Sequence, residues 1–266
     1  MRFPVLAALI VFAAAPLPAA PVSALDPASA PVAAPAPVYA EIAALVVSDD
    51  HTDAKVDGLI AATLKALTEA DSDVAAMDKE YPGLIAAVGD AMRPVMLRGV
   101  EQSMPGYRAD LAAMYARNLS APEAREFADF LAEPGSRAFF GAAVRRVNYQ
   151  SIANDLVAER DVSATSLSRD VRNAATQVVA EATPDQIKRV EAFFTTPLGR
   201  KLLAMRDQKS AVDLKWANME MPGIEQEMEQ IVIETMVSHV GKTDPELAKG
   251  MRELLAKEQA GKKTAT

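Results

Sequence analysis

Residues 183–203 read TPDQIKRVEAFFTTPLGRKLL, and this stretch decides the fold. Thr183 stands three residues before Gln186, the spacing of a capping box in which each side chain satisfies the other residue's backbone donor. Pro184 suits the first helical position, where an N–H would have no partner anyway. Val190, Phe193 and Phe194 fall at i, i+3 and i+4, one apolar stripe on a helix. Thr196-Pro197 then stops that helix and caps a second one. The stretch reads as a helical hairpin.

A degenerate copy, SAPEAREFADFLAEPGSRAFF, begins at Ser120, offset by 63 residues. Ser120 and Glu123 repeat the capping box, and Phe127, Phe130 and Leu131 repeat the stripe. Pro134 matches Pro197, each restarting a helix after a turn of about two residues. Glu133 is a poorer cap than its counterpart Thr196. Gly199 and Gly135-Ser136 are expected to let two helices approach closely. Six of the eight Phe lie in the two copies and two in the leader. Phe127, Phe130, Phe139, Phe193 and Phe194, with Pro134, Pro197 and Gly199, are therefore the expected structural core of the repeats. The fold class that follows is all-α: a multi-helix domain containing two related hairpins.

The segment from Tyr115 and Leu119-Ser120 through Phe139, together with Thr183–Leu203, resembles the family of domain of unknown function 2059. AFFTTPLGRKLL is the closer match, and the resemblance covers roughly residues 105–220. The first copy departs from it, with EPGSR where the second has TPLGR. The resemblance implies an exported bacterial helical protein and brings no catalytic residues with it.

The chain opens MRFPVLAALIVFAAAPLPAAPVSA, one Arg before an apolar run and then small residues. This fits a signal peptide over 1–24, cut after Val22-Ser23-Ala24. Pro16, Pro18 and Pro21 interrupt the run before it reaches the roughly 20 residues a membrane span needs. The expectation is a periplasmic or secreted protein with no transmembrane span after cleavage. Residues 25–53 read as a Pro/Ala-rich linker followed by a capping loop, with a short helix inside at 39–47. The helical domain is placed at 54–258, with repeat one at about 109–160 and repeat two at about 167–221. Residues 259–266 read as a disordered tail. Pro94 predicts a kink or break, and Pro105-Gly106 the end of a segment.

Without the leader, 27 basic residues face 36 acidic ones, which argues against nucleic-acid binding. The chain has no Cys, which removes thiolate chemistry, disulfides and Cys-rich metal sites. No P-loop, GxSxG, HExxH, GxGxxG or EF-hand loop is present. His51 lies among acids in SDDHTD, which reads as a capping loop rather than a metal site. His239, in the last turn of a helix, suits the helix dipole. Met92, Met96, Met114, Met228 and Met236 lie on apolar helix faces, as core packing and not a copper site. Glu225 and Glu229 share a helix face, a solvated pair. No catalytic residue, cofactor or metal is assigned.

A charge asymmetry remains. Residues 184–218 hold seven Lys/Arg against four acids, and 219–240 hold five Glu and no Lys or Arg. Lys188, Arg189, Arg200 and Lys201 form a candidate interaction face for an envelope protein or an anionic envelope surface. The expected function is a non-catalytic extracytoplasmic interaction or envelope-support module. The alternative is an envelope hydrolase that uses carboxylates.

Overall fold

The computed structural model describes residues 36–264, with side chains as far as Leu255. The leader at 1–24 and residues 25–35 of the linker lie outside the described residues. Among the described residues every regular element is a helix. In order these are α1 Pro37–Val46, α2 Thr52–Ala70, α3 Ser72–Glu80, α4 Leu84–Asn118, α5 Ala121–Ala132, α6 Pro134–Arg145 and α7 Gln150–Val157. They continue as α8 Ala164–Glu181, α9 Pro184–Phe194, α10 Pro197–Ala204, α11 Arg206–Ala217, α12 Pro222–Val240 and α13 Pro245–Thr264. A 3-10 turn, Asp49–His51, precedes α2, with Ser48 accepting from the Asp50 N–H at 3.1 Å.

The helical body begins earlier than 54. α1 buries Val38, Tyr39, Ile42, Ala43 and Val46, and the Tyr39 hydroxyl donates to the Leu119 carbonyl at 2.8 Å. The branched and aromatic residues from Val38 onward supply the apolar area that the Pro/Ala stretch lacks. At the other end α13 runs through Thr264, across residues read as a tail. Lys, Glu, Gln and Ala are good helix formers, which accounts for the extension.

α4 is one continuous helix of 35 residues, with Pro94 and Pro105 inside it. Of the kink or break expected at Pro94 the break is absent, and the helix does not stop at Pro105-Gly106. Each proline removes one donor, but both are exposed, as are Asp90 and Glu101, whose carbonyls lose that donor. Water can pair those carbonyls. On the opposite face Val88, Met92, Val95, Met96, Val100, Met104, Tyr107 and Leu111 form an unbroken buried stripe. Gly106 is a notch: a Cβ there would run into the Trp216 ring. Trp216 is fixed above it, donating to Asp110 at 2.7 Å, and Lys215 reaches the same carboxylate at 2.7 Å.

Around this spine pack α1, α2, α11 and α12. α1 also carries α5, α2 carries α7, and α7, α8, α6 and α9 follow in a chain of contacts. The acidic α12 lies along α4, where Glu227 meets Arg98. Long-range polar pins close the loops. Asp170, 1% exposed on α8, accepts from the N–H groups of Ser151 and Ile152 that open α7. Asn218 bonds both the N–H and the carbonyl of Val162, at 2.7 and 3.1 Å.

Candidate functional site: an apolar cavity between the hairpins

Both hairpins start as their capping residues dictate. The Ser120 N–H and hydroxyl each donate to Glu123 at 2.8 Å. The Thr183 N–H donates to the Gln186 side chain at 2.9 Å, and the Gln186 N–H returns to the Thr183 hydroxyl at 3.3 Å. Thr196 caps α10 by accepting from the Gly199 N–H at 3.0 Å.

The turns differ between copies. Two residues, Thr195 and Thr196, separate α9 from α10, but Glu133 alone separates α5 from α6. Ser136 occupies the position that Gly199 holds in the second copy. A Cβ at Gly199 would overlap the Phe193 carbonyl and the Phe194 backbone, so the second turn needs glycine. Ser136 is fully buried, and among the described residues its hydroxyl has no hydrogen-bond partner.

The rings of the two copies meet as one cluster. Phe130 and Phe193 stack at 3.7 Å, Phe127 lies 6.2 Å from Phe193, and Phe140 and Phe194 meet Phe130 edge-on at 6.1 and 6.2 Å. Phe127 and Phe130 are buried as expected, and so is Gly199. Phe139, Phe193 and Phe194 are only half-buried, and Pro134 and Pro197 are exposed at the first positions of their helices. Every α9 residue keeps some exposure. The reason is an unfilled space beside the rings.

That space is a cavity of about 430 Å³. Phe139 and Phe140 from α6, Val178 and Val179 from α8, and Ile187 and Phe194 from α9 form its walls. Leu202 and Leu203 from α10 continue them, and Val46, Met114 and Tyr115 supply the side nearest the spine. Polar groups gather at the α10–α11 junction as Arg206 and Lys209, and Glu191 is the one carboxylate in the lining.

Behind Lys209 lies a buried polar cluster. Lys209 reaches Asp213 at 2.7 Å, and the Tyr107 hydroxyl donates to the same carboxylate at 2.6 Å. Burial, and then the charge of Asp213, raise the Tyr107 and Tyr115 hydroxyls above the ordinary tyrosine range. Lys55, 4% exposed, is pushed down to about 8 by burial and then by the charge of Lys209, with Asp49 opposing.

Of the basic residues 188, 189, 200 and 201, three have partners within the chain. Arg189 pairs with Glu133 at 2.5 Å, and Lys201 pairs with Glu123 at 2.9 Å. Arg200 donates to the Thr195 carbonyl at 2.6 Å, and Lys188 is exposed. Two of the four thus tie the second hairpin to acids of the first. The Lys201 ammonium, then Ser120, holds Glu123 down at about 2.

The two histidines have structural neighbours. His51 lies beside a hollow of about 50 Å³ with Asp50, Arg137 and Gly141, its ring depressed by burial and then by Arg145. His239 sits 3.2 Å from the Pro82 carbonyl. Glu225 accepts from the Met221 N–H at 2.9 Å, closing the start of α12. Met92, Met96, Met114 and Met228 are buried, and Met236 is half-buried. Among the described residues no group of three or more His, Cys, Asp or Glu could hold a metal, and no helix is long and apolar enough to cross a membrane.

Sequence reasoning missed the cavity itself and the cluster of Lys55, Lys209, Asp213 and Tyr107. The spacing of Lys209 and Asp213 is an i, i+4 pair, the only local signal available. No family model, no curated protein and no solved structure matches the chain.

Proposed function

We propose that this chain is an exported, non-catalytic binding module whose ligand is apolar and sits between the two hairpins. The apolar cavity walled by α6, α8, α9 and α10 carries the reading. Its volume falls in the range of small-molecule sites, and its walls are hydrocarbon and aromatic. The leader at 1–24 supports export to the periplasm or beyond. The paired hairpins support membership of the family of domain of unknown function 2059, which rests on the residues alone. A hydrolase working through paired carboxylates would need them to converge, and Glu191 is the one carboxylate in this lining.

The test is fluorescence titration of the mature chain with the neutral apolar probe N-phenyl-1-naphthylamine. Saturable enhancement is expected, reduced by Leu203→Trp, which fills the cavity. A flat titration into the millimolar range would overturn the binding reading. N-terminal sequencing of protein recovered from the envelope fraction tests export: Leu25 is expected as the first residue, and a retained Met1 would contradict cleavage.

A further inference from the structure

We infer that the ligand is uncharged, an apolar body with one acceptor oxygen that takes a hydrogen bond from the Tyr115 hydroxyl on the spine side of the cavity. This rests on the binding reading above and adds the chemical class, that of ketones and esters. Tyr115 enters the lining from α4 and is only 4% exposed. Its ring packs on Phe127, 5.8 Å between centroids, which limits how the hydroxyl can swing. Tyr107, about two turns earlier on the same helix, gives its proton to Asp213 at 2.6 Å. Tyr115 feels that carboxylate only as a charge, and its hydroxyl makes no hydrogen bond among the described residues. Lys209 engages both oxygens of Asp213, at 3.0 and 2.7 Å. Burial keeps the Tyr115 phenol protonated, so it has a proton to donate. A polar group left alone beside an apolar space costs free energy until something accepts from it. An oxygen on the ligand is that acceptor.

The absence of charge on the ligand follows from the same lining. Arg206 is paired with Asp207 at 3.4 Å, and Lys209 with Asp213 at 2.7 Å. An anion would meet cations already engaged, with the charge of Asp213 felt at Tyr115. An ammonium would meet Arg206 and Lys209, and its one carboxylate partner in the lining, Glu191, is exposed. Either head group would give up its water without an equal return. The walls from α6 and α8 are hydrocarbon and aromatic, and suit the body of the ligand. Each CH₂ entering the cavity gains the transfer free energy that Phe139 and Phe194 leave unrealised.

The test is displacement of N-phenyl-1-naphthylamine from the full mature chain by butyrophenone, butylbenzene, 4-phenylbutanoate and 4-phenylbutylammonium, which share one carbon skeleton. In Tyr115→Phe, butyrophenone should bind about fivefold more weakly, the worth of one neutral hydrogen bond, while butylbenzene is unchanged. The wild-type chain should take butyrophenone at least about tenfold more tightly than either charged compound. Tyr115→Phe removes a hydroxyl that has no partner among the described residues. Helicity and thermal midpoint should therefore hold, which keeps the comparison valid.

An equal loss for butyrophenone and butylbenzene in Tyr115→Phe, or no loss for either, would overturn the proposal and leave the binding reading standing. Binding of 4-phenylbutanoate or 4-phenylbutylammonium as tight as that of butyrophenone would do the same. Absence of probe binding would overturn both. Butyrophenone binding that survives both Leu203→Trp and Val179→Trp, in variants with wild-type helicity, would put the site elsewhere and equally overturn the proposal.

Discussion

Phe130 and Phe193 stack face to face, 3.7 Å between centroids and 2° from parallel, although 63 residues separate them. Phe130 is buried and Phe193 only half-buried. Phe130→Ala should therefore cost about 3–5 kcal/mol and Phe193→Ala about 2–3 kcal/mol. Denaturant unfolding of both single variants and the double variant measures the coupling, expected at about 0.5–1.5 kcal/mol. Additive costs would show that the rings do not act as a pair.

Gly199→Ala should destabilise by about 1–3 kcal/mol, because its Cβ meets the α9 backbone, which has no room to yield. Gly135→Ala in the first copy should be near neutral, since the nearest atoms belong to the long Arg189 side chain, at an ordinary contact distance of 3.4 Å at Nε. Comparing the two thermal midpoints checks the difference. Similar losses at both sites would contradict it.

Ser136→Ala removes a buried hydroxyl that has no partner among the described residues. Stability should rise by about 1 kcal/mol, read as a higher denaturation midpoint at unchanged slope. A loss of the same size would mean that an ordered water satisfies the hydroxyl.

The Glu123 carboxyl is held at about 2, below its ordinary 4.5. A carboxyl depressed by folding adds stability that is complete above its unfolded value and fades as pH falls toward the folded one. The gap in thermal midpoint between wild type and Lys201→Met should therefore be widest near neutrality and close between about pH 4.5 and 2. It should also narrow with salt, because both groups are accessible to solvent. A gap independent of pH would contradict the ion pair.

Lys55 works in the opposite sense. Its folded value of about 8 lies below the ordinary 10.5, so the folded state carries a penalty at neutral pH. The penalty is full below about 8 and disappears as pH rises through 10.5. Lys55→Met should stabilise by about 1–3 kcal/mol at pH 7, with a smaller gain at pH 10.

Local chemistry was legible in the sequence. Ser120, Thr183 and Thr196 announce helix starts because a cap acts within three residues of itself. The stripe containing Phe127 and Phe130 has one period and one interpretation. Pro94 and Pro105 were misleading because a proline's effect depends on which face of the helix carries it, and both lie toward water. The cavity was illegible for a similar reason: Phe139, Phe194 and Val179 have the pattern of core residues, and only the absence of a facing side chain distinguishes them. Asp110, Asp170, Asp213 and Asn218 gave no distant signal either. Four of their partners, Ser151, Val162, Tyr107 and Trp216, stand 19, 56, 106 and 106 residues away.

Each side chain of α9 keeps some exposure, and what holds the helix to the body is the packing of Val190, Phe193 and Phe194 and the Arg189–Glu133 ion pair. It is thus a segment that can detach at low cost while the spine stays folded. Amide hydrogen exchange should find its backbone protected only weakly, against strong protection along the buried stripe of α4. An opening of that kind is the natural doorway for a guest entering the space beneath it.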